Sequence, residues 1–81
     1  MQDRRIHDYI NELSAEEERL YERAGSGEGI GPSEAARLRE IGIQLDQAFD
    51  LLQQRAARRA AGADPGAAEV RPPGVVEGYE Q

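Results

Sequence analysis

The chain contains no cysteine, and no lysine, threonine or tryptophan either. The lack of cysteine removes disulfides, zinc–thiolate sites and thiol nucleophiles together. Histidine occurs once, at His7, and the aromatic residues are three tyrosines and one phenylalanine. No apolar run approaches the roughly 18 residues that span a bilayer. The opening Met1-Gln2-Asp3-Arg4-Arg5 leads into an amphipathic stretch instead of the apolar region of a signal peptide. The expected setting is the cytoplasm, with no membrane partner.

What is present is an acidic, alanine-rich chain of 81 residues, in which ten arginines stand against sixteen carboxylates for a net charge of -6. The isoelectric point is near 4.7 and the mean hydropathy -0.75. That length allows one small domain. Apolar residues make up 38% of the chain and include twelve alanines. A core of that kind rarely nets more than about 3–5 kcal/mol alone, so a further source of burial is expected.

Ile6, Ile10, Leu13, Glu17, Leu20 and Ala24 recur at alternating spacings of four and three, which marks one face of a helix over about 3–24 with Asp3 as its N-cap. Gly25, Gly27, Gly29 and Gly31 then crowd a loop at 25–31, where helix would cost too much backbone entropy. Pro32 and Glu34 restart the chain as a helix N-terminus. From there Ala35, Leu38, Gly42, Leu45, Phe49, Leu52 and Ala56 keep the same alternation, with Ile41 and Ala48 beside it. This second helix runs to about 61, and Gly62 is its C-terminal stop.

Two such seams joined by a short loop predict an all-α fold: an antiparallel, coiled-coil-like hairpin over 1–62. Placing Ala24 beside Ala35 brings Leu13 to Leu45, Ile10 to Phe49 and Ile6 to Leu52. The two irregular seam positions, Glu17 and Gly42, arrive at one level, so Gly42 is expected to leave room for the Glu17 stem and the pair to fix the register. A partly desolvated Glu17 acid is the other reading of that residue. Residues 63–81, with Pro65, Pro72 and Pro73, predict an extended tail that touches the helices through Val75, Val76 or Tyr79. Dimerisation through the broad face of the second helix into a four-helix bundle is the expected source of extra burial.

Little in the chain is arranged for chemistry. His7 lacks the acid three residues before it that a helical carboxylate–histidine metal pair needs, since that position is Arg4. Successive Glu16, Glu17 and Glu18 point about 100° apart and do not converge, and Glu16 and Glu18 read as a solvated face. The glycine-rich loop follows a helix, not a strand, and lacks phosphate-binding spacing. No metal, cofactor or enzymatic activity is expected. Arg55, Arg58 and Arg59 complement the dipole at the end of the second helix, or form a partner site. Asp46 and Asp50, among Gln47 and Gln54, form a polar ridge that faces solvent, receives the tail, or meets a second protein. The expected function is a small non-enzymatic interaction or adaptor protein, a homodimer that binds a cytosolic protein through Asp46, Gln47, Asp50, Gln54, Arg55, Arg58 and Arg59. The alternative is a nucleic-acid-associated or transcription-linked factor using Arg55, Arg58 and Arg59, which the net charge of -6 disfavours.

Residues Leu45 to Arg55 carry a resemblance, supported by Ile10 to Glu17 and by the tail pieces Val70-Arg71-Pro72 and Val76-Glu77-Gly78-Tyr79. Together they resemble the short actinobacterial proteins grouped as domain of unknown function 2630. Phe49 stands where that family is expected to have tryptophan, and Glu18 where it is expected to have histidine. The resemblance implies the architecture and a bacterial cytoplasmic setting, and it implies no reaction or partner.

Overall fold

Four glycines in seven residues end the first helix where the entropy argument places the break, and Gly27 and Gly29 adopt φ of 90° and 70°, which other residues take up only under strain. The computed structural model describes residues 2–27 and 29–78, without the side chains of 77 and 78. Every regular element among the described residues is helical: α1, Asp3–Ala24; α2, Pro32–Ala60; a 3-10 turn, Pro65–Ala67; and α3, Pro73–Gly78. No helix among them is long and apolar enough to cross a membrane.

The ends of α2 follow the local chemistry closely. Pro32 occupies the first helical position, and the Gly31 N–H donates to the Glu34 carboxylate at 3.3 Å. At the other end Gly62 turns left-handed at φ 74°. Its N–H donates to the Arg59 carbonyl at 3.0 Å and the Ala63 N–H to the Arg58 carbonyl at 2.8 Å, the two bonds of a Schellman stop. The chain is thereby turned back along α2. The start of α1 departs from expectation: Gln2 is the N-cap, and Asp3 lies inside the helix, where its carboxylate is taken by arginines of α2.

Ion pairs between α1 and α2 step along the two helices in opposite senses. Asp3 pairs with Arg55 and, at 2.7 Å, with Arg59. The Glu16 carboxylate accepts two bonds from the Arg37 guanidinium, at 2.6 and 2.8 Å. Arg23 reaches Glu34 at 2.8 Å. Glu16 is therefore a cross-helix partner, not a purely solvated residue.

The buried apolar residues are Ile6, Ile10, Leu13, Ile41, Ala48, Leu51 and Val76. On α1 these are the expected positions. On α2 the inward line runs through Ile41, Ala48, Leu51 and Arg55, about 95° round the helix from the seam expected at Leu38, Gly42, Leu45, Phe49, Leu52 and Ala56. Ile10 clusters with Ile6, Ala48 and Leu51, with Leu45 and Leu52 at the margin, and Phe49 remains 50% exposed. A Cβ placed on Gly42 would meet nothing within 4 Å, so Gly42 does not make room for the stem of Glu17. α2 is covered along two lines: α1 is bound through Arg37, Arg55 and Arg59, and the returning chain through Gln47, Asp50 and Gln54.

The tail is only partly extended. It carries the 3-10 turn, where the Asp64 side chain accepts from the Gly66 N–H at 2.9 Å, and the six-residue α3. Between them residues 68–72 run without helix, and the whole segment packs on α2 as a strap. Val76 is its buried anchor and Val75 stays about half exposed. Tyr79 lies outside the described residues.

Candidate functional site

The side chains expected to meet a partner divide between two surfaces of α2. The first is the polar ridge, which lies under the strap. Gln47 donates to the Arg71 carbonyl at 3.1 Å, and Gln54 donates to the Glu69 carbonyl at 2.8 Å and to Asp50 at 2.9 Å. The Asp50 carboxylate, itself buried, accepts a two-pronged bond from the Arg71 guanidinium, with Nε at 2.9 Å. Spacings of three and four residues put Gln47, Asp50 and Gln54 in one row along the helix, matched to a chain that passes over it. Farther along, Arg55 is buried between the Asp3 carboxylate and the Pro65 carbonyl, to which it donates at 3.1 Å.

The arginine cluster is therefore largely committed within the chain. Arg55 and Arg59 both hold Asp3, which leaves Arg58 beside the groove described next. Asp46 lines the same groove. Glu17 is half-buried on α1, and His7 is exposed. Among the described residues no three His, Cys, Asp or Glu side chains converge as a metal site would require.

The second surface is open. A groove of about 960 Å³ runs between the strap and Phe49, with Asp46, Gln53, Arg58 and Val76 among its walls. Beside it the apolar stripe of Leu38, Gly42, Leu45, Phe49, Leu52 and Ala56 runs the length of α2. Its members are half-buried or exposed. The sequence marked these residues as apolar and periodic. What it could not convey was that α1 would settle on the neighbouring line, with Leu45 and Leu52 packed only at the margin of the buried cluster and Phe49 left half exposed.

Charge pairing shifts three carboxyls in the same direction. Bonds from Arg59 and then Arg55 lower the Asp3 carboxyl to about 2. The Arg37 fork lowers Glu16, and Arg71, helped by Gln54, lowers Asp50. A carboxyl depressed in the folded chain contributes stability above its unfolded value, near about 4, and loses it as pH falls through the folded value. The urea midpoint should accordingly be flat above about pH 5 and fall between about pH 4 and 2. Asp3→Asn should lower the plateau and shallow that fall. An unchanged acid limb would show that Asp3 is not paired in solution.

A family model described as "Protein of unknown function (DUF2630)" matches residues 2–81. Uncharacterized proteins of Mycobacterium bovis and of two Mycobacterium tuberculosis strains are each 50% identical to the chain over 72 residues, covering 88% of this chain and 82% of theirs. No solved structure matches it.

Proposed function

This chain belongs to the DUF2630 family of proteins of unknown function, and from that premise we propose that it is a non-enzymatic protein-interaction module of the bacterial cytoplasm that also associates with itself. In this reading α1 and α2 act as one antiparallel, coiled-coil-like hairpin. The strap completes one side of α2 and leaves the Phe49 stripe as the docking face. The observation that supports it most is the exposure of Phe49 at 50%, in a continuous apolar row on a chain otherwise rich in charge. Aromatic side chains in such rows are common anchors of protein interfaces. A nucleic-acid role for Arg55, Arg58 and Arg59 has less support, because Asp3 engages two of the three guanidinium groups and the net charge of -6 repels phosphate.

The experiment is a comparison of proteins retained from native lysate by the full chain and by Gly42→Arg. The substitution puts a long charged side chain into the stripe at a site with open space, so the fold should survive. Loss of specific proteins from the variant supports the reading. An identical retained set, or retention only of DNA or RNA, overturns it.

A further inference from the structure

We propose that Arg55 couples the start of α1 to the strap, so that whatever takes the Asp3 carboxylate away from Arg55 loosens the strap over the ridge. The coupling is independent of the docking face above and rests on how one side chain is held.

Arg55 is buried, and two segments far apart in sequence converge on it. Its Nε donates to the Asp3 carboxylate, 52 residues away, and its Nη1 donates to the Pro65 carbonyl at 3.1 Å. Its neighbours on α2 each serve one side only. Among the described residues Arg37 and Arg59 hold α1, while Gln47, Asp50 and Gln54 hold the strap. The helical parts of the strap do not approach α1 directly, since among the described residues no Cα of α1 comes within 8 Å of the 3-10 turn or of α3. Ala68 packs against the cluster that contains Ile6 and Ile10, but that contact is apolar and does not respond to the charge on Asp3. Arg55 is therefore the polar route between the two.

Burial gives the coupling its sign. A guanidinium withdrawn from water is tolerated while a carboxylate faces it, and removing the carboxylate leaves an uncompensated charge. Without Asp3, Arg55 keeps one neutral acceptor, the Pro65 carbonyl. Water is the remaining source of solvation, and it has a way in. A cleft of about 490 Å³ lies between Gln2 and Arg5 on one side and Asp64, Pro65 and Gly66 on the other, with Arg55 in its wall. Lifting the turn widens this cleft and hydrates the guanidinium. Opening therefore costs less once the charge of Asp3 is lost, and the turn at 65–67, which has no buried residue, can open locally. The coupling is reciprocal, so a loosened turn weakens the hold of Arg55 on Asp3.

The test follows hydrogen exchange of the Ala67 and Ala68 amides, which donate to the Asp64 and Pro65 carbonyls, in the full chain. Asp3→Asn should speed their exchange roughly tenfold, within the range of coupling between members of one bonded network. Glu16→Gln is the control, because it removes from α1 a cross-helix carboxylate of like exposure whose partner, Arg37, has no bond to the strap among the described residues. It should lower Tm and leave Ala67 and Ala68 unchanged. In an Arg55→Met chain, which loses the coupler and its charge together, adding Asp3→Asn should no longer affect the two amides. The reverse direction is read at the Arg55 Nε–H by NMR. Asp64→Ala, which removes the cap of the turn, should speed exchange of that proton severalfold, although the Asp64 side chain is bonded to Gly66 and not to Arg55. Unchanged amides in Asp3→Asn, an equal acceleration by Glu16→Gln, an Asp3→Asn effect that persists in the Arg55→Met chain, or an Arg55 Nε–H indifferent to Asp64→Ala would each overturn the proposal.

Discussion

Ile41→Ala is expected to lower the stability of the folded chain by about 3–4 kcal/mol, which for a domain of this size is a fall in Tm of roughly 15–25 °C. Ile41 is fully enclosed, at 0% exposure, on the line of α2 that faces α1. Truncation there removes most of a large aliphatic side chain and leaves a cavity that two long helices cannot easily close. The informative comparison is Phe49→Ala, made on the same helix and measured at low protein concentration. Phe49 is half exposed, so its loss should cost less than about 1 kcal/mol in the single chain despite the greater number of atoms removed. Thermal unfolding of the two variants side by side reports which line of α2 lies inside. If Phe49→Ala proved the more damaging in dilute solution, the rotation of α2 described above would be wrong.

Arg71→Met should cost about 2–3 kcal/mol, less than the full penalty for orphaning a buried charge, because Gln54 remains bonded to Asp50 and Arg71 is itself about one-third exposed. The change removes the cation from a carboxylate that has little access to water and frees the strap at its central clasp. Hydrogen exchange should show amides near 67, 68, 75 and 76 losing protection, with α1 retaining it. Adding Asp50→Asn to the Arg71→Met chain should recover part of the loss, since the uncompensated charge goes with it. Unchanged protection in the strap would show that Val76 and Ala68 hold it without the ion pair.

The sequence carried the helices well because their limits are set by local chemistry. Four glycines stop α1, Pro32 with Glu34 starts α2, and Gly62 ends it; each acts on its own neighbours, so each is legible without the fold. The face of α2 was less legible. Ile41 and Leu45 belong to overlapping helical stripes, and periodicity cannot say which of two adjacent apolar lines a partner helix will choose. The choice depends on Asp3, Glu16, Arg37 and Arg55 finding one another across the interface, and those pairings are long-range. The ridge at Gln47, Asp50 and Gln54 was visible as an anomaly, and the tail was among its possible occupants. That Arg71 would supply the cation could not be read from spacing, because the residues between 62 and 71 set its reach only once Gly62 has turned the chain.

The Schellman stop at Gly62 fixes more than the end of a helix. It returns the chain within a few residues, so the strap meets the ridge as part of the same molecule, at an effective concentration on the order of millimolar for a short tether. A handful of side-chain bonds to Glu69, Arg71 and Pro65, with Val76 and Ala68 as the apolar contribution, would hold two separate molecules together only weakly. Tethered, the same contacts suffice. A free peptide of identical chemistry would have to approach that local concentration before it could take the ridge from the resident segment. The ridge is thereby reserved for the chain's own strap, at a concentration no free competitor of the same chemistry readily matches.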